Sequence, residues 1–407
     1  LYRLDFILYQ ISELHTQSRS IPVHILNKRT AKREFLVIVD SHAHIFPYLQ
    51  RAPGNRHRPF LQRGLNGNQL PVRRTRDNAI VTGVSFWDSD DYSYGGYREV
   101  DFRAGKFGRF EWTIDGVDYY KQYMPPSLID NTCDAAYLVA EMDYAGIDVA
   151  ILQNDHFYGA LNEMFRDAVT QFPDRLVGTA HVDETTVGAQ AAIDDLHKAA
   201  EEFGLRGIFY DSRTYWSGTD ADAIDSEKFR SFWRTVESLG LVAYWVPGPP
   251  IGSGIEGYLS QLRRWCNLRE LCPDLHMVVP GGIPHSLTAD TSGRLPDEIR
   301  QLARSGRVAF ELLYPISVGR AQEYPYRDAL EEIRALYGEC GGAALVWGSD
   351  VPNVLRHCTY SQSLEYLRRY ADFIPPSDMD QILGGTLARF FGLPSDQPVR
   401  SSAATKG

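Results

Sequence analysis

Two histidines one residue apart follow a carboxylate in Asp40-Ser41-His42-Ala43-His44, directly after the apolar run at residues 35–39. In an extended backbone, side chains two apart point the same way. His42 and His44 can therefore face one point and chelate one ion, with Asp40 on the same parity as a further oxygen donor. Neutral imidazole suits zinc, iron, manganese or cobalt. Near the other end of the chain, Leu345-Val346-Trp347-Gly348-Ser349-Asp350-Val351-Pro352 again ends an apolar run on a carboxylate. Asp350 is expected to ligate the metal or to act as the general base beside it.

Elements far apart in sequence must bring these residues together. Eight short runs rich in β-branched or aromatic residues read as strands: 35–39, 147–153, 176–182, 205–210, 241–246, 275–279, 308–313 and 344–347. Each is bounded by Gly, Pro or Asp. Segments of helical period separate most of them, at 186–203, 226–239, 257–271, 295–305, 326–337 and 361–373. Buried strands alternating with amphipathic helices predict a parallel sheet. Eight of them predict an α/β fold of the (β/α)8 TIM-barrel type. In a closed barrel, strand eight neighbours strand one, which brings Asp350 beside His42 and His44. No glycine fingerprint follows the first strand, which argues against a dinucleotide fold.

One barrel spanning 35–393 is expected, between an N-terminal arm at 1–34 and a tail at 394–407. The arm is read as a cap on the barrel bottom or as a dimerisation element. Residues 45–128 break the strand–helix rhythm with a stretch rich in Gly, Asp, Arg and aromatics. It is too aromatic for disorder. An insertion after a barrel strand emerges at the catalytic face, so a lid or an interface is expected there.

The net charge of −10 argues against nucleic-acid or anionic-membrane partners, both of which need Lys/Arg patches. No apolar run approaches the roughly 20 residues that span a bilayer. The five cysteines form no CxxC pair and their number is odd. A reduced, cytoplasmic setting is expected, with neither a zinc ribbon nor a secretion signal.

The Asp-Ser-His-Ala-His and Gly-Ser-Asp-Val-Pro elements together resemble the amidohydrolase superfamily. The likeness is to the branch holding aminocarboxymuconate semialdehyde decarboxylase and related aromatic-acid decarboxylases. Residues 137–153, 176–183, 204–208 and 382–393 agree with that branch. The resemblance implies a divalent metal (zinc first, iron or manganese next), a small-molecule carboxylate substrate, and decarboxylation or hydrolysis. It also implies a histidine at the ends of strands five and six, where this chain has Trp245 or Val246 and Val279 or Pro280.

That departure directs attention to other groups. His156, just after strand two, is expected to complete the ligand set or to sit beside it. His181 on strand three, Glu311 on strand seven, Tyr158 with Asn162, and Arg206 before strand four are read as a substrate-binding set. Arg206 would grip a carboxylate through its two-pronged guanidinium. The branch also has hydroxylase relatives of the 2-aminoisobutyric acid type, in which two amidohydrolase-like subunits assemble. The alternative reading is therefore a metal-bearing companion subunit of such a monooxygenase, in a homo- or hetero-oligomer. A third reading is a metal-free binding scaffold.

Overall fold

A computed structural model describes residues 37–51, 61–62, 65, 70–86, 98–212, 223–248, 254–288 and 294–394. The expected N-terminal arm and residues 395–407 lie outside the described residues.

Among the described residues the chain forms thirteen strands in two sheets. β1 (Val39–Ala43) opens the barrel. β2 (Val72–Arg74), β3 (Ile80–Val81), β4 (Arg103–Ala104), β5 (Arg109–Ile114) and β6 (Val117–Gln122) follow it as a separate sheet. The barrel resumes with β7 (Val149–Leu152), β8 (Leu176–His181), β9 (Gly207–Asp211) and β10 (Val242–Val246). It ends with β11 (Met277–Val279), β12 (Val308–Leu312) and β13 (Leu345–Trp347). The eight barrel strands lie in the order β1-β7-β8-β9-β10-β11-β12-β13, each pair parallel. Closure comes just beyond β13, where His44 N donates to Val351 O at 2.8 Å and Asp350 N to His42 O at 2.9 Å. The fold is a (β/α)8 barrel, as the sequence predicts.

Alternate strand residues fill its interior: Val39, Val149, Ile151, Val177, Phe209, Val242, Tyr244, Val278, Ala309 and Val346. The lower end is plugged by Leu387, Phe390 and Phe391 of the helix Thr386–Phe391. The plug needs Gly384, because a Cβ there would lie 1.9 Å from Val37 O. Several of the next inward positions toward the other end are polar: Ser41, Gln153, His181, Asp211 and Glu311. Core and mouth thus follow from a period of two along each strand.

The expected β1 run stops at Val39, whereas the strand continues through Ala43. Its pairing with β7 slips between Asp40 and Ala43. Three residue steps on β1 match two on β7, the signature of a bulge.

The insertion after β1 builds a five-stranded antiparallel sheet in the order β3-β2-β6-β5-β4. Asp115 and Gly116 join β5 to β6 with φ of 51° and 74°. An Asp-Gly pair at positive φ makes the two-residue turn whose twist matches a hairpin. Phe86, Phe102, Phe110 and Trp112 are buried behind this sheet. Phe110 and Tyr123 reach Phe157, with ring centroids 6.2 and 4.9 Å away. The inserted sheet is thereby packed onto the short helical turn His156–Tyr158 above β7.

Candidate metal centre

The β1 bulge decides which side chains face inward. Val39 and Ser41 keep the inward parity, and the extra residue turns His42 inward as well. Asp40 is left on the outer side. Ser41 Oγ lies 3.2 Å from the Tyr244 hydroxyl and donates to Glu311 Oε1 at 2.6 Å. His42 and His44 bring their Nε2 atoms within 3.1 Å of each other. Asp350 Oδ1 lies 3.2 Å from His44 Nε2 and 3.8 Å from His42 Nε2. Two donors about 2.1 Å from one ion at tetrahedral or octahedral angles are about 3.0–3.4 Å apart. These separations are close to that, so the residues fit a single divalent ion.

The far side of each imidazole is fixed. Glu311 Oε2 lies 2.8 Å from His42 Nδ1 and accepts its proton, and Gln153 O lies 3.1 Å from His44 Nδ1 and accepts likewise. Both Nε2 lone pairs are thereby turned toward the centre, the arrangement in which a second layer of acceptors orients metal-binding histidines. Burial would push His42 down, but the Glu311 carboxylate, with Asp350 and Asp40, holds it up at about 9. Burial pushes Asp350 up, but the close approach of His44, then His42 and the hydrogen bond from Asn353, together hold it below its ordinary value.

Asp350 sits at φ 63°, a left-handed conformation uncommon outside glycine. The Asp350 N–H bond to His42 O fixes it, as does Asn353 Nδ2, which donates to Asp350 Oδ1 at 2.8 Å. Strain of this kind clusters where a side chain must be aimed. Gly348 also belongs to the site, because a Cβ there would lie 3.0 Å from His42 Cβ.

Several expected site residues sit elsewhere. Asp40 was expected among the ligands, but both its oxygens are taken. Oδ1 accepts from His42 N and Ser349 N, both at 2.9 Å. Oδ2 accepts from Ser349 Oγ at 2.5 Å and the Tyr360 hydroxyl at 2.6 Å. Burial pushes Asp40 up to about 6 despite those four bonds. Its place is the seam that closes the barrel. Glu311 was expected to touch substrate, but it has four donors of its own. Besides Ser41 and His42 these are Gln153 Nε2 at 2.9 Å and Gly281 N at 3.0 Å.

His156 was expected to complete the ligand set, but both its ring nitrogens point away from it. Nε2 is 2.9 Å from Glu184 Oε1 and Nδ1 is 2.9 Å from His181 Nε2. Arg206 was expected to hold a carboxylate, but its guanidinium donates to Phe391 O at the plugged end. It precedes β9, so it stands at the opposite end of the barrel from the mouth. Tyr158 is part of the site: its ring lies 4.5 Å from that of His44 and 4.7 Å from Phe46. Its hydroxyl accepts from Asn353 at 2.7 Å. Asn162 Oδ1 accepts from His181 N at 2.7 Å, bracing the β8 end.

Gln153, Asn353, Ser349 and Tyr360 are site or seam residues that sequence reasoning passed over. Asn353, three residues after Asp350, carries the one available signal, since a short polar side chain at that spacing can reach back to the carboxylate.

Where strands five and six would each offer a histidine, β10 ends on Val246, with Trp245 Nε1 turned outward to Ser212 Oγ at 2.7 Å. β11 ends on Val279. Among the described residues, His42, His44 and Asp350 are the one group of three His, Cys, Asp or Glu side chains close enough to hold a metal ion. No helix among the described residues is long and apolar enough to cross a membrane.

Comparisons with known proteins place this architecture. The chain is similar in fold to a probable 2-pyrone-4,6-dicarboxylic acid hydrolase from Acinetobacter baumannii solved with citric acid bound. Identity is 18%, coverage 87% of this chain and 99% of that one, and the TM-score 0.50. It is also similar to an amidohydrolase from Burkholderia multivorans solved with HEPES bound, at 13% identity over 88% of this chain and 100% of that one, with a TM-score of 0.54. Another crystal form of the Burkholderia amidohydrolase contains zinc (16% identity, 65% and 90% coverage, TM-score 0.49). At these identities the likeness is one of fold. No curated protein matches this chain. The amidohydrolase family model matches residues 39–393, and the chain belongs to that family.

Proposed function

We propose that this chain is a metal-dependent enzyme that acts on a small carboxylic acid, by decarboxylation or hydrolysis. One observation carries the reading: two Nε2 atoms and one carboxylate oxygen converge while both Nδ1 atoms are held from behind. His42, His44 and Asp350 would hold one divalent ion. Zinc is the simplest occupant, and iron or manganese accept the same donors. When bound, such an ion supplies a Lewis acid that polarises a carboxylate or carbonyl group.

The chain's own residues do the rest. Glu311 fixes the His42 tautomer and Gln153 that of His44. Tyr158 and Phe46 shield the His44 ring. Asp350 Oδ2 has no hydrogen-bond partner among the described residues, so it is free to take a proton. Val246, on the inward parity of Val242 and Tyr244, gives the β10 side of the mouth an apolar surface, suited to the carbon frame of an organic acid.

The test is elemental analysis of the purified chain and its His42→Ala variant after growth with zinc, iron and manganese supplied. Small aliphatic and aromatic carboxylic acids are then assayed for CO2 or acid release. About one equivalent of metal, lost in the variant, with turnover of an acid is expected. Metal retained without His42, or no metal in either form, overturns the proposal.

A further inference from the structure

The barrel mouth carries a second group of titratable side chains that the metal centre leaves unused. Glu184, in the loop after β8, is buried. Its Oε1 accepts from Asp211 N at 2.7 Å and meets His156 Nε2 at 2.9 Å. The other His156 nitrogen, Nδ1, is 2.9 Å from His181 Nε2, and the two rings meet edge to face at 4.5 Å. Glu184, His156 and His181 therefore form an unbroken line of hydrogen bonds.

The proton positions follow from chemistry. A carboxylate requires a proton on His156 Nε2, and two nitrogens 2.9 Å apart require one proton between them. Burial would push His156 down, but Glu184, with Asp211 and Asp155, holds it up at about 9, so it carries both protons. Burial and then the His156 charge push His181 down to about 3, with Asp183 opposing, so it is neutral. His181 then accepts through Nε2 and keeps its own proton on Nδ1. That Nδ1 has no partner among the described residues, and it is not one of the sealed, unpartnered buried atoms.

His181 shares the inward parity of Val177 on β8, one strand beyond Gln153 and two beyond His44. Two strand spacings are about 10 Å along the wall. We propose that Glu184, His156 and His181 form a proton-delivery chain, with His181 Nδ1 as the donor to an acid held at the metal centre. It rests on the proposed function for the acid's position, and it supplies a proton at a mouth whose β10 and β11 ends carry none. In one delivery the Nδ1 proton of His181 leaves for the substrate, and the Nδ1 proton of His156 moves to His181 Nε2. His156 is left neutral, its Nε2–H still donating to Glu184; a solvent proton then enters at His181 Nδ1 and the Nε2 proton returns to His156 Nδ1, which restores the charge. His181 is the catalytic residue, and His156 and Glu184 are positioning residues.

Ring-15N-histidine labelling of the metal-loaded full chain tests this, with benzoate as the carboxylate probe. Near neutral pH, His156 is expected doubly protonated and His181 neutral with its proton on Nδ1. Benzoate should shift the His181 Nδ1 resonance in the loaded protein and leave it unmoved in His42→Ala. A His181 proton on Nε2, or an Nδ1 resonance indifferent to benzoate in loaded protein, overturns the chain while leaving the metal assignment intact. Absence of metal overturns the functional reading, and the delivery role with it. For an acid that is turned over, Glu184→Gln should move the basic limb of kcat down by about two pH units with metal content unchanged. A limb that stays in place overturns the relay.

Discussion

Glu311→Gln is the sharpest test of how the centre is held. The Glu311 carboxylate receives four donors: Ser41 Oγ, Gln153 Nε2, His42 Nδ1 and Gly281 N. Gln keeps the shape but replaces one acceptor oxygen with an NH2 group, which faces two of those donors in either flip. If the amide nitrogen meets His42, the imidazole gives up its Nδ1 proton, and Nε2 no longer offers its lone pair to the metal. Removing a partner that orients a metal-binding histidine typically costs 10- to 100-fold in affinity, or about 1.4–2.8 kcal/mol. Leaving buried donors unmatched adds a loss of folding stability of about 1–3 kcal/mol. Both numbers are accessible: the first from competition with a chromogenic chelator, the second from urea unfolding of the metal-free protein. Ser41→Ala is the control, since it removes one Glu311 donor without touching His42. It should weaken metal binding less than about threefold. A Glu311→Gln protein with wild-type metal affinity would refute the orientation argument. Equal losses in both variants would assign the effect to barrel packing instead.

Other outcomes follow from single distances. Gly348→Ala puts a methyl 3.0 Å from His42 Cβ and 3.2 Å from Leu313 Cδ1, so metal affinity should drop by about tenfold as His42 gives way. An unchanged chelator titration would show that the seam yields without moving the ligand. Arg206→Ala should lower stability by about 1–2 kcal/mol through the unpaired Phe391 carbonyl and leave the KM for any acid substrate unchanged. A raised KM would return Arg206 to the substrate site. Because Glu184 raises His156 from 6.5 to about 9, the pair's stabilisation is full below pH 6.5 and is lost as pH rises toward 9. The stability difference between wild type and His156→Gln should therefore shrink by about 3 kcal/mol over that window, and a difference that stays flat from pH 6 to 10 would show that the imidazole is neutral throughout.

The barrel was legible because its cause is local. A buried strand needs only a short run of β-branched or aromatic residues, and a covering helix needs one apolar stripe, so both are written in consecutive residues. All eight expected runs contain or overlap the strands found. The first overlaps at Val39 alone, because nothing in the residue types marks a strand that continues through Asp-Ser-His-Ala. The pair His42 and Asp350 was legible for a different reason: closure of eight parallel strands makes the first and last neighbours, whatever their sequence.

What escaped depends on geometry that no single segment contains. Asp40 and Asp350 look alike in sequence, each a carboxylate at the end of a buried run. With an unbroken period of two, Asp40, His42 and His44 all share one face. The extra residue between Asp40 and Ala43 breaks that period, so Ser41 and His42 face the interior together and Asp40 faces the seam. The bulge is therefore part of how the centre is made. It frees one carboxylate to pin strand eight to strand one, through Ser349 and Tyr360, while the histidines beside it turn to the ion. Glu184 was hidden for a related reason. Its partner His156 lies 28 residues away in another loop, and the two meet only because β7 and β8 are adjacent in the barrel. With Val246 and Val279 ending β10 and β11, the titratable chain that lies apart from the metal centre, His156, His181 and Glu184, stands on the β7–β9 side. A substrate held at His42 and His44 would then meet its proton donor from that side and its apolar wall from the other.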